Sequence, residues 1–165
     1  VIKPEKKENL EVELCMTMIR GVNSILRAKC KLLLQSLKKT SSLKCIVYCV
    51  DTNEIKELIS AMKLIDEFHP SEYHISQMTC DNSAKSRKVI LDDFASSNKV
   101  QLLFSVRILD EGIDIPSCDS ICITYTTQNE VWILQRLCRC IRIDKMNPSK
   151  VGNVFMWVND YAQIL

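Results

Sequence analysis

The sequence predicts an α/β domain in which an open, mostly parallel sheet is covered by helices on both faces. Two observations carry this. Short apolar runs rich in β-branched and aromatic residues, such as KCIVYCV (44–50) and VQLLFSV (100–106), read as strands buried on both sides. Between them lie stretches with apolar residues at three-to-four spacing, opened by residues that cap helices, so strands lead directly into helices.

Taken in order, the first forty residues read as helix, with Leu14, Met18, Ile19, Val22, Leu26, Leu33, Leu34 and Leu37 on one side and KKTSS ending the run. KCIVYCV follows as a strand. In DTNE (51–54), Asp51 can cap a helix and Glu54 can reach back, ahead of Ile55, Leu58, Ile59, Met62 and Leu64. EYHISQM (72–78) is a second strand, after which Asn82 or Ser83 can cap a helix whose apolar face holds Val89, Ile90, Leu91 and Phe94. VQLLFSV is the third strand and DSICITYT (119–126) the fourth. A helix over QNEVWILQRLCRCIRID (128–144) and a last strand in VGNVFMWV (151–158) complete the pattern.

Composition bounds the function without choosing it. A chain of 165 residues fits one domain and can bury about two-thirds of its unfolded surface. The net charge of +2 favours no class of partner. Nine cysteines occur without a C-x-x-C pair and with only two histidines, His69 and His74, so no zinc site is expected. Several cysteines sit inside apolar runs and read as reduced, buried thiols, which places the protein in a reducing compartment, cytoplasm or nucleus. The abundance of Ile, Lys, Asn and Ser hints at an AT-rich genome, as in a virus or parasite. No apolar run reaches the roughly 20 residues of a membrane span. The opening VIKPEKKENLEVEL, without an initiator Met, reads as part of a longer polypeptide.

Parallel sheets of this kind bind ligands outside the carboxyl ends of their strands. At that rim stands a helix carrying Arg136, Arg139 and Arg142 three apart, with no acid at i,i+4 to relieve them. At about 100° per residue, Val131, Leu134, Leu137, Cys138 and Ile141 share a packing arc, and the arginines border it with Gln135. Guanidinium groups suit phosphate oxygens because their planar fork donates two parallel hydrogen bonds. The preceding loop, DEGIDIP (110–116), holds Gly112, where a side chain would block close approach, and Asp114, which could accept from sugar hydroxyls.

These residues resemble the second lobe of a superfamily 2 helicase or translocase, over roughly residues 40–160. KCIVYCVDT resembles motif IV, LLFSVRILDEGIDIPSCDSICI motif V, and QRLCRCIR motif VI. The wording of motif V is nearest the restriction-enzyme-like branch. The resemblance implies a RecA-like three-layer α/β/α domain at 40–165, preceded by a helical segment at 1–39. It implies that Arg139 and Arg142 are arginine fingers reaching ATP held by another lobe, and that Gln135, Arg136, Gly112 and Asp114 lie near the nucleotide. It also implies that Cys49, Asp51, Thr52, Arg87 and Ser105 face a DNA or RNA backbone.

The chain has no G-x-x-x-x-G-K-[ST] motif, no acidic motif at a strand end for Mg²⁺, and only three glycines. ATP and Mg²⁺ are therefore expected to be held mainly by an N-terminal RecA-like lobe of the same polypeptide, with this chain inactive alone. Cys138 stands where motif VI usually has glycine. That departure keeps open a second reading, a degenerate lobe that binds nucleic acid or assembles without turning over ATP.

Overall fold

The computed structural model describes residues 24–106, 115–125, 133, 135, 136, 138, 140 and 142–157. Helix α1 (Ser24–Thr40) buries Cys30, Leu33, Leu34 and Leu37, one stripe at helical spacing. It stops because Ser41 turns left-handed, with φ 54°. The Ser42 N–H then reaches back to the Leu37 carbonyl at 2.9 Å and the Ser41 N–H to that of Lys38 at 3.3 Å. A Cβ at this position is strained. Ser41→Gly is expected to raise stability by about 0.5–1 kcal/mol, read as a higher urea midpoint.

The strands are β1 (Lys44–Tyr48), β2 (Tyr73–Met78), β3 (Val100–Ser105), β4 (Ser120–Ile123) and β5 (Asn153–Met156); helices α2 (Thr52–Met62) and α3 (Ala84–Ser96) flank β2 in sequence. They form one sheet in the order β2-β3-β1-β4-β5, with every pairing parallel. Helix α2 is capped by Asp51, and α3 by Ser83 rather than Asn82.

Side chains alternate across the central strands. Cys45, Val47, Leu102, Phe104 and Cys122 face a core shared with α1 and α2. Ile46, Tyr48, Leu103, Ile121 and Ile123 face a second core with Phe94 of α3 and Cys140. Continuous apolar runs therefore mean two-sided burial, and three layers follow. The expected boundary between residues 39 and 40 falls at the end of α1, whose apolar face belongs to the first of these cores.

Some expected apolar positions point elsewhere. Val89 is 54% exposed and Leu64, past the end of α2, is 49% exposed. Phe94 alone of the α3 residues is fully enclosed, and the strand expected over 119–126 ends at Ile123.

Of the described cysteines, all but Cys80 and Cys138 are buried, and none forms a disulfide. Burial pushes the thiols of Cys30 and Cys45 from 9.0 up to about 12. A thiol that ionises in the unfolded chain near pH 9 but stays protonated in the fold makes stability fall as pH rises. The urea midpoint is therefore expected to drop between pH 8 and pH 10 and to fall further toward pH 12. A flat profile over that window would contradict burial of these thiols.

Candidate functional site at the carboxyl edge of the sheet

Where adjacent parallel strands send their chains in opposite directions, a crevice opens at their carboxyl ends. In this sheet the point lies between β1 and β4: the chain leaves β1 for β2 on one side, and β4 for β5 on the other.

Three strand ends meet here. Tyr48 is level with Ser105 of β3 and Ile123 of β4. The Cys49 N–H donates to the Ser105 carbonyl at 2.9 Å, and the Thr124 N–H to the Tyr48 carbonyl at 3.1 Å. The Asp51 carboxylate accepts the Glu54 N–H at 2.8 Å as the cap of α2. Oε2 of Glu54 accepts the Val50 N–H at 2.6 Å and the Thr124 hydroxyl at 2.9 Å. One carboxylate thus ties the start of α2 to the end of β4. The Asp51 carboxylate takes one of the first N–H groups of α2, and its charge opposes an incoming phosphate at that end.

The sequence suggested a bordering row of three arginines, and the structure divides it. Arg136 is 1% exposed. Its guanidinium lies 4.7 Å from the ring centre of Tyr48 and 5.4 Å from that of Tyr125. A flat, weakly hydrated cation held against two tyrosine faces can be enclosed where an ammonium could not. Cys140, one turn on, is buried on the same side, while Cys138 between them is exposed. The packed arc therefore runs through Arg136 and Cys140, and Cys138 does not lie on it as expected. Gln135 and Arg142 are exposed. Arg139, Gly112 and Asp114 lie outside the described residues.

The residues expected to face nucleic acid spread along the same edge with unequal access. Asp51 is exposed and Thr52 half-buried, whereas Cys49 and Ser105 are enclosed. Burial first, with Glu54 and Asp51 adding, pushes the Cys49 thiol well above its ordinary value, so it stays neutral. The Ser105 hydroxyl has no hydrogen-bond partner among the described residues. Arg87 is half-buried and donates to the Cys80 carbonyl at 3.4 Å, in the turn after β2. Pattern reasoning missed the two tyrosines that hold Arg136 and the Thr124 contact of Glu54. An aromatic ending each of two adjacent strand segments was the available signal.

Among the described residues no group of acids, histidines or cysteines is arranged to hold a metal ion, and no helix is long and apolar enough to cross a membrane. The exposed charged groups among the expected site residues are the Asp51 carboxylate and the Arg142 side chain.

Residues 28–144 match the model of the helicase conserved C-terminal domain. No curated protein matches the sequence significantly. Among solved structures, the C-terminal domain of the DEAD-box protein Dbp5 is similar with a TM-score of 0.61 at 18% identity, over 82% of this chain and 72% of that one. Dbp5 of S. cerevisiae bound to RNA and ADP BeF3 gives 0.61 at 18%, over 84% of this chain and 34% of that one. The Mycobacterium smegmatis helicase Lhr bound to ssDNA and AMP-PNP gives 0.59 at 13%, over 83% and 17% respectively. At these identities the likeness is one of fold.

Proposed function

Because this chain belongs to the helicase conserved C-terminal domain family, as the C-terminal RecA-like lobe of a superfamily 2 helicase, we propose that it works as the second motor lobe of an ATP-driven helicase or translocase. It grips a DNA or RNA backbone at its sheet edge and presents Arg139 and Arg142 to ATP and Mg²⁺ held mainly by an N-terminal RecA-like lobe. The observation that carries this reading is the different placement of the two described arginines, Arg136 in the helix and Arg142 in the bend after it. Arg136 is spent on internal packing, which fixes the helix against the sheet, while Arg142 remains exposed.

Bound ATP would supply a phosphoryl group whose transfer builds charge on its oxygens. Arg142 stands in a bend just past the described helical residues, and not in the helix expected through 144. Its guanidinium can meet that charge with paired donors, and the Arg136 stack holds the preceding helix in place. Gly112, Asp114 and Gln135 would complete the approach to the nucleotide. Asp51, Thr52 and Arg87 would contact the nucleic acid, with Cys49 and Ser105 shaping the backbone beneath them. Of these, Arg87 can neutralise a phosphate, so binding should weaken as salt rises.

The degenerate-lobe reading rests on Cys138 in place of glycine. Cys138 is exposed, so its thiol is not packed into the core of this lobe. The test is ATP hydrolysis by the full-length protein with and without single-stranded DNA or RNA. Stimulation is expected. A folded full-length protein showing none with either polymer would leave the non-catalytic module as the better account.

A further inference from the structure

Among the described residues, the edge of the sheet far from β5 is open. Strand β2 pairs with β3 on one side and with no strand on the other among the described residues. The Val100 N–H donates to the Glu72 carbonyl. In a parallel ladder with that register, the backbone groups of His74 and Ser76 go to β3, and those of Ile75 and Gln77 turn to the open side. The strand, YHISQM, contains no Lys, Asp, Glu, Pro or Gly to guard it. Natural sheets rarely leave a six-residue edge so plain, because it is a template for another strand.

A groove of about 800 Å³ runs beside this edge, between β2 and α2. Ile59, Phe68, Tyr73 and Ile75 supply its apolar surface, with the Phe68 and Tyr73 rings stacked 5.8 Å apart. Lys56 of α2 and Lys63 at its C-cap are exposed at its rim; His74 also lines it, and no acid among the described residues does.

We propose that this groove docks an extended acidic peptide, which adds as a strand beside β2 and sets its glutamate or aspartate side chains against Lys56 and Lys63. A peptide is favoured over a nucleic acid by the edge itself. It offers backbone donors and acceptors in alternation, which a peptide backbone satisfies in both senses, whereas a phosphate chain uses only donors. Every second side chain of the added strand faces α2, and on that one face apolar residues meet Ile59 and Phe68 while acids beside them meet the lysines. The site is distinct from the carboxyl edge and does not depend on ATP turnover.

The test is fluorescence anisotropy of the chain with a fluorescein-labelled ten-residue peptide that carries glutamate, valine and leucine together on one strand face and threonine on the other. The same peptide with lysine for glutamate, and an unstructured oligonucleotide of ten thymidines, serve as comparisons. The glutamate peptide is expected to bind tightest, and the double variant Lys56→Glu/Lys63→Glu to weaken it about tenfold or more. Both lysines are exposed, so the variant should keep the far-ultraviolet circular dichroism of the parent. Ile75→Pro removes an outward N–H without touching the β3 ladder and should weaken the same peptide. Equal binding of the two peptides, unchanged binding by both variants, or tighter binding of the oligonucleotide lost in the lysine variant would each overturn the proposal.

Discussion

Arg142→Ala in the full-length protein is expected to cut nucleic-acid-stimulated ATP hydrolysis by about a thousandfold or more, the range associated with loss of an arginine finger. The thermal midpoint should hardly move, because Arg142 is exposed and a surface truncation seldom changes stability by more than about 0.5 kcal/mol. That separation is the useful feature: rate collapses while the fold persists. Arg142→Lys should fall between wild type and alanine, since an ammonium keeps the charge but loses the planar pair of donors. Nucleic-acid binding measured without ATP should be nearly unchanged in both variants, because the backbone-gripping residues lie elsewhere on the edge. An alanine variant that keeps its rate within tenfold of wild type would remove Arg142 from the triphosphate.

The layered fold was legible because its signals are local. KCIVYCV has no polar interruption, and only a strand enclosed on both faces tolerates that; the structure finds every residue of β1 buried. Asp51 and Glu54 were readable as a cap because both partners lie within one turn of helix. The strand order was not readable, since nothing in VQLLFSV states that β3 inserts between β2 and β1. The arginine helix failed for a related reason. A helical wheel ranks faces by hydrophobicity, and it put Arg136 outside and Cys138 inside. The actual face is decided by partners on other elements, Tyr48 at the end of β1 and Tyr125 after β4, which turn a cation into the better packing residue. Glu54 shows the same limit: its contact with Thr124 spans seventy positions, so only its local reach to Val50 could be anticipated.

Arg136→Ala should do the opposite of Arg142→Ala. Its guanidinium is enclosed between two tyrosine rings, so truncation empties a space under Tyr48 that the surrounding strands cannot readily fill. Together with the lost cation–π contacts, the expected cost is about 3 kcal/mol, seen as a lower urea midpoint with an unchanged slope. Arg136→Met keeps much of the volume and should recover part of the loss, because an apolar chain of similar length needs no compensation for a buried charge. The activity of the methionine variant then distinguishes two roles for one residue. If Arg136 acts by holding the helix, a stable methionine variant should retain stimulated ATP hydrolysis in proportion to its packing. If its charge is needed at the nucleotide, hydrolysis should disappear although the domain remains folded. The enclosure of the guanidinium favours the first outcome, since a group at 1% exposure must leave its tyrosines before it can reach a ligand.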